Sequence, residues 1–195
     1  MPTLPDASLS QFFTDARSHN GWLDRPVTDE QIRALYDLLK MAPTSLNCLP
    51  GRFVFLRTAA AKARILPHMM DGNRAKTESA PVVVIVGHDL RFFEHLPRLF
   101  PFMECASWFS GNAAFARETA LRNGSLQGAY LMLAARSLGL DVGPMSGFNN
   151  AGVNAEFFPD GRVESNFVCS LGYGDNAKLY PRGDRLTFDE ACTLL

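Results

Sequence analysis

Apolar residues recur at helical spacing in two long stretches of the chain. Thr28 and Gln31 form a capping-box pattern, which predicts a helix that begins at Thr28 and ends before Pro43. A longer helix is predicted from about Asn112 to Leu138, with Gly139 placed to terminate it. The apolar positions that define the first helix are Ile32, Leu35, Tyr36 and Leu39.

Short runs of β-branched and aromatic residues predict the strands. Arg52–Arg57 is such a run, and an Ala-rich helix is expected after it. Nearly every residue from Pro81 to Val86 is β-branched, which indicates a strand buried on both faces at the centre of the sheet. Phe167–Leu171 is expected to be another interior strand, whereas the Gly- and Pro-rich segment Gly143–Asn150 is expected to be a turn. This order predicts an α/β or α+β sandwich and leaves parallel and antiparallel pairing open.

Length and charge narrow the class of protein. With 195 residues and 47% hydrophobic side chains, residues 1–195 are expected to form a single globular domain. A net charge of −1 provides no field for polyanions, so no nucleic-acid partner is expected. The longest apolar run is far shorter than the roughly 20 residues that span a bilayer, so no membrane association is expected. The N-terminus lacks a secretory-signal pattern, and a cytoplasmic location is expected.

Several short patterns that resemble catalytic or binding motifs are excluded by their spacing or by the residues around them. The four cysteines are scattered without ligand spacing, so neither a metal site nor a disulfide framework is predicted. Gly172–Ala177 matches a dinucleotide-binding glycine pattern, but only eighteen residues follow it, too few for a βαβ unit. Gly143–Gly147 places its serine fourth and not third, so it is not a nucleophile elbow.

The remaining candidates are polar and turn residues dispersed along the chain. Taken singly, each is compatible with an ordinary surface arginine or a helix stop. A single ligand that collects them explains the whole set. They are Arg17, Ser18 and His19; Pro43, Thr44, Ser45 and Asn47; Asn73 and Lys76; Pro144, Met145, Ser146 and Gly147; and Arg182 and Arg185.

The order of these segments resembles the FMN-dependent nitroreductase family over essentially the whole chain. The family pattern A-P-S-S-x-N-x-Q-P-W-x-F corresponds without gaps to residues 42–53, APTSLNCLPGRF. Closer matches, TDARSHNGW, GPMSGF and GYGDNAKLY, resemble the malonic semialdehyde reductase branch of pyrimidine degradation. Two departures, Leu49 for the usual Gln and Gly51 for the usual Trp, lie where the resemblance places the flavin ring.

The resemblance implies an α+β nitroreductase-like fold with a mostly antiparallel central sheet flanked by helices. It further implies an intertwined homodimer with FMN at the interface. Arg17 with Ser18, His19 and Arg182 or Arg185 would hold the phosphate, because arginine forms bidentate, charge-assisted bonds to phosphate. The flavin edge would face Asn47 and Asn73, and the flavin N5 atom would face the 144–147 turn. Lys76 would be the catalytic cation that stabilises negative charge on the reduced ring.

The resemblance therefore predicts an NAD(P)H-dependent oxidoreductase that reduces malonic semialdehyde to 3-hydroxypropionate by ping-pong hydride transfer. A nitroaromatic or quinone reductase of broad specificity and a non-catalytic FMN-binding protein are the alternatives. The aromatic, Pro-broken segment Phe92–Ser110 is a candidate lid, with ordinary packing under a loop as the alternative. The candidates to line a substrate pocket are Arg98, Trp108, Phe109 and Arg117.

Overall fold

The computed structural model describes residues 2–195, which form nine α-helices and four β-strands. Several helices are single turns that connect the longer elements. The helices are α1 Asp6–Leu9, α2 Asp29–Leu39, α3 Ala59–Ile65, α4 Asp71–Ser79, α5 Leu96–Leu99, α6 Ser107–Ser110, α7 Ala113–Ser137, α8 Asn150–Phe157 and α9 Phe188–Ala191. The strands are β1 Gly51–Leu56, β2 Val82–Asp89, β3 Asp141–Met145 and β4 Val163–Gly172.

The four strands form one sheet in the order β1-β2-β4-β3, and all neighbours are antiparallel. Every residue of β2 is buried, as expected for a central strand between two helical layers. A bulge after Val86 shifts the register between β2 and β4. The α+β fold around an antiparallel sheet that the family resemblance implied is confirmed.

Helices cover both faces of the sheet. On one face, α2 and the long helix α7 pack over alternate sheet residues such as Val84 and Leu171. On the other face, α3 and α8 pack over residues such as Ile85 and Val168. The capping box predicted at Thr28 is present, and Gly139 follows α7 with a φ of +70°. Three cysteines are buried, and burial raises the pKa of Cys48 to about 11.

One expectation for the second half of the chain is wrong, and one helix was not predicted. Asp141–Met145 is strand β3, although Gly143 and Pro144 led to the prediction of a turn. Asn150–Phe157 is helix α8, whose N-terminus is capped by the side chain of Asn149. Pro144 is compatible with β3 because this strand lies at the edge of the sheet, where a missing N–H leaves no ladder bond unmade.

The 92–110 segment forms a small cluster of its own against the N-terminal half of α7. Phe109 is 3% exposed, and its ring lies 4.9 Å from that of Phe92. Phe109 is therefore a packing residue, which is the alternative that the sequence left open for this segment. Arg117, another candidate, pairs with Glu164 at 2.8 Å. Within residues 2–195, no helix is long and apolar enough to cross a membrane.

Candidate functional site

Four arginines from distant parts of the chain line one pocket of about 460 Å³, here called the arginine pocket. No carboxylate is among its lining residues, and none lies within 4.0 Å of these guanidinium groups in the described part of the chain. The pocket therefore presents guanidinium groups that form no ion pair, in the fork geometry that suits phosphate. Its lining residues are Phe13, Ala16, Arg17, Ser18, Asn20, Arg136, Tyr180, Pro181, Arg182, Gly183 and Arg185.

Backbone carbonyls hold these arginines in place. Arg17 donates from Nη2 to the Tyr180 carbonyl at 2.5 Å, and Arg182 donates to the Thr14 carbonyl at 2.8 Å. Arg136, in the last turn of α7, donates to the Phe12 carbonyl at 2.8 Å. Each bond uses a neutral acceptor and leaves the charge of the guanidinium available to a ligand.

His19 does not line the arginine pocket. Its backbone N–H donates to the Val142 carbonyl of β3 at 2.9 Å, and its ring Nε2 lies 3.3 Å from an Asp141 carboxylate oxygen. The ring is 4% exposed, and a Cβ at Gly143 would lie 2.4 Å from the His19 carbonyl oxygen. In this position His19 attaches the segment that carries Arg17 to the edge of the sheet.

A row of polar side chains on α4 continues from the arginine pocket. Lys76 donates from Nζ to the side-chain oxygen of Asn20, a pocket residue, at 3.3 Å. Burial lowers the pKa of Lys76. Asn73 lies one helical turn away and donates from Nδ2 to the Gly147 carbonyl at 2.8 Å. The arginine pocket is thus connected through Lys76 and Asn73 of α4 to Gly147 in the segment that follows β3.

The expected 144–147 turn begins later than the sequence indicated. Pro144 and Met145 are the last residues of β3, and only Ser146 and Gly147 lie beyond it. Met145 is buried, and its sulfur accepts a hydrogen bond from the Thr77 hydroxyl at 3.7 Å. The side chain of Met145 therefore packs under α4, whereas Ser146 is exposed.

Hydrogen bonds attach the 43–47 loop to α7 and α5, away from the arginine pocket. Ser45 donates its backbone N–H to Asn123 Oδ1 at 2.8 Å, and Asn47 donates from Nδ2 to the Leu99 carbonyl at 3.0 Å. Asn47 has a φ of +50°, and Pro43, Ser45 and Asn47 are exposed while Thr44 is half-buried. None of these residues lines the arginine pocket.

The structure thus brings the sequence candidates together in two groups. Arg17, Ser18, Arg182 and Arg185 share the arginine pocket, to which contacts connect Lys76, Asn73 and Gly147; the 43–47 loop stands apart. Arg136 was missed by sequence reasoning. A basic residue in the last turn of a helix is common because it complements the helix dipole, so its position carried no functional signal.

Comparison with known proteins identifies the family. The model of the nitroreductase family matches residues 14–173. The chain belongs to the nitroreductase family. A relative from Rhodopseudomonas palustris, provisionally named an NADH dehydrogenase/NAD(P)H nitroreductase, is 57% identical over 99% of this chain and 98% of its own length. A relative of the same provisional name from Ralstonia nicotianae is 54% identical over the full length of both chains.

Solved structures of nitroreductases share the fold. A provisionally assigned nitroreductase from Bacillus subtilis superposes with a TM-score of 0.86 at 22% identity, covering 98% of this chain and 100% of that chain. Another, from Exiguobacterium sibiricum, was crystallised in complex with FMN and superposes with a TM-score of 0.85 at 20% identity, covering 100% and 99% of the two chains.

Proposed function

We propose that this protein is an FMN-dependent oxidoreductase that takes its electrons from NADH or NADPH. The arginine pocket carries this proposal, because four guanidinium groups without a carboxylate partner match the charge and the acceptor geometry of a phosphate monoester. The provisional names of the two relatives, NADH dehydrogenase/NAD(P)H nitroreductase, support the choice of electron donor. The FMN complex of the Exiguobacterium protein supports the choice of cofactor.

Arg17, Arg136, Arg182 and Arg185 would hold the phosphate of FMN, with the Ser18 hydroxyl beside them. Bound FMN supplies the chemistry that neither an arginine nor a lysine has, the transfer of a hydride from a nicotinamide to an acceptor. The protein binds FMN in one position and orientation, so that the reactive part of its ring faces the substrate.

Lys76 and Asn73 would face the polar edge of the ring. Asn73 keeps its carbonyl oxygen available as an acceptor while its amide group is bound to Gly147. The Lys76 ammonium is half-buried, so its attraction to negative charge is screened less than that of a surface lysine. Lys76 would therefore stabilise negative charge that develops at that edge when a hydride arrives.

We further propose an intertwined homodimer in which the second chain completes each site. Pro43, Ser45 and Asn47 of the 43–47 loop are exposed, and no residue of this loop lines the arginine pocket of its own chain. The long helix α7 presents Leu121, Leu126 and Tyr130 to solvent, an apolar surface that a partner would cover. Two equivalent sites then follow from a twofold axis.

The proposed substrate is malonic semialdehyde, reduced to 3-hydroxypropionate as in pyrimidine degradation. This choice rests on the TDARSHNGW, GPMSGF and GYGDNAKLY segments of the chain. A broad nitroaromatic or quinone reductase is the second candidate, favoured by the nitroreductase names of the relatives.

The absorbance spectrum of the purified protein, recorded before and after anaerobic addition of NADH or NADPH, tests the function. We expect a yellow protein whose flavin bands are bleached by at least one of the two donors without any acceptor. Initial rates with malonic semialdehyde or menadione should then give parallel double-reciprocal lines. A protein that does not bind added FMN contradicts the proposal, and bound FMN that neither donor reduces indicates a non-catalytic carrier.

A further inference from the structure

A second pocket lies beside the 43–47 loop and shares no lining residue with the arginine pocket. It has a volume of about 730 Å³, and we call it the β1 pocket. Asn47 reaches into its wall and donates a hydrogen bond to the Leu99 carbonyl, next to Arg98. The lining residues are Tyr36, Lys40, Met41, Asn47, Leu49, Gly51, Arg52, Phe53, Phe55, His95, Arg98 and Leu99.

The charges in the β1 pocket are of one sign, and they differ in whether a partner neutralises them. Lys40 pairs with Asp37 at 2.6 Å, and Arg52 pairs with the buried Asp89 at 2.6 Å. Arg98 has no carboxylate within 4.0 Å in the described part of the chain, and no acidic residue lines the pocket. Arg98 is therefore the cation of this pocket that is left for a ligand.

The rest of the pocket is suited to a small organic acid. Phe53 and Phe55 of β1 present apolar surface to the pocket. A carboxylate bound by Arg98 would thus have apolar walls around the remainder of the molecule. This combination of an apolar pocket with one cation is typical of small-molecule sites that fix the orientation of a ligand by a single charged contact.

We infer that the β1 pocket receives the electron acceptor and that Arg98 selects acceptors that carry a carboxylate. The inference rests on the proposed function, because the pocket adjoins the 43–47 loop that would face the flavin. The ligand class is a small carboxylic acid with a second, reducible group, and a charge-assisted bond from the Arg98 guanidinium orients that group away from the arginine.

The test compares Arg98→Gln with a matched control, Arg33→Gln, which removes an exposed arginine of α2 outside the pocket. We expect Arg98→Gln to lower the ratio of kcat/KM for malonic semialdehyde to kcat/KM for neutral menadione by about 10- to 100-fold. The loss should lie mainly in KM, and Arg98→Lys should recover part of it, whereas Arg33→Gln should leave the ratio unchanged.

A binding measurement provides a readout without turnover. Calorimetric titration of the oxidised holoprotein with 3-hydroxypropionate should give a Kd that rises by a similar factor in Arg98→Gln and does not change in Arg33→Gln. Equal ratios and equal Kd values in the wild type, Arg98→Gln and Arg33→Gln would overturn the role of Arg98. Failure of the proposed function would be distinguishable, because FMN would then not be reduced by NAD(P)H in the wild-type protein.

Discussion

Arginines of this protein have two kinds of partner, neutral backbone carbonyls and carboxylates. The arginines of the arginine pocket are held by neutral carbonyls, so their charge serves a ligand. Asp89, at the end of β2, is 1% exposed and binds Arg52 and Arg162, so these charges serve the fold. Among these residues, the arginines of the arginine pocket are therefore candidates for binding a ligand, and the two arginines paired with Asp89 are structural.

Lys76 provides a prediction about charge at the reacting edge. Lys76→Met should slow reduction of bound FMN by NAD(P)H about 10- to 1000-fold, because it removes a fixed cation from the place where negative charge develops. Anaerobic stopped-flow absorbance of this half-reaction isolates the step. Arg33→Met is the control, and a Lys76→Met protein with the wild-type reduction rate would show that Lys76 does not act there.

Asp89 provides a prediction about pH. Burial alone raises the pKa of Asp89, but the hydrogen bond from Arg162, the Arg91 amide and the charges of Arg52 and Arg162 outweigh it, so the pKa lies below its usual value. A carboxylate with a lowered pKa stabilises the fold fully above its unfolded pKa of about 3.9, and this stabilisation is lost as the pH falls through the lower folded pKa.

Asp89→Asn should therefore reduce the free energy of unfolding at pH 7 by about 1 to 3 kcal/mol, since both arginines are partly exposed and water screens them after the change. The difference from wild type should shrink as the pH falls below 4. Urea unfolding at several pH values measures it. A difference that is constant with pH would contradict a role for the ionised Asp89.

Sequence rules that depend on neighbouring residues predicted the helix ends of this protein but not the residues of the arginine pocket. The capping box at Thr28 and the terminator Gly139 depend on interactions within a few residues and were found. Arg17 and Arg182 were among the dispersed polar candidates, but their phosphate-binding role came from the resemblance, because no local pattern distinguishes them from surface arginines. Arg136 was missed because it reaches the pocket only through the packing of α7 against the N-terminal segment.

Among the elements, β3 connects the sheet to the candidate site. It was predicted as a turn because Gly and Pro disfavour strands, and its edge position makes both acceptable. The central strand β2 was predicted correctly, because an unbroken run of β-branched residues in so short a segment indicates a buried strand. Pairing partners of each strand depend on contacts distant in sequence, which the pattern of one chain does not encode.

Gly143 provides a prediction at this junction. A Cβ there would lie 2.4 Å from the His19 backbone oxygen, so Gly143→Ala must push the Arg17-bearing segment away from β3. We expect a loss of about 1 to 3 kcal/mol of unfolding free energy and weaker FMN binding. Denaturant unfolding and FMN titration of the apoprotein measure the two effects.

Gly72→Ala is the matched control, because Gly72 lies in α4 with nothing within 4 Å of its added Cβ. This variant should be as stable as wild type or slightly more stable, since alanine favours a helix over glycine. If Gly143→Ala bound FMN as tightly as Gly72→Ala, the close approach of His19 to β3 would not position the arginine pocket.

For the whole molecule, the central proposal is that one chain supplies the arginine pocket of each site and its partner supplies the 43–47 loop. Arg17→Glu places a negative charge in the pocket, and Ser45→Trp overfills the loop. Each variant alone should form a homodimer without FMN or activity. No pattern in a single sequence reveals that two chains share a site, which is why this point needs an experiment.

The decisive measurement uses dimers that carry two different tags and are isolated by both. A mixed dimer of Arg17→Glu with Ser45→Trp should regain one FMN and about half of the wild-type activity, because one site pairs an intact pocket with an intact loop. A mixed dimer of wild type with the double variant should be inactive, because each of its sites contains one lesion. The reverse result, an inactive first dimer and a half-active second one, would show that each site lies within one chain and would contradict the proposal.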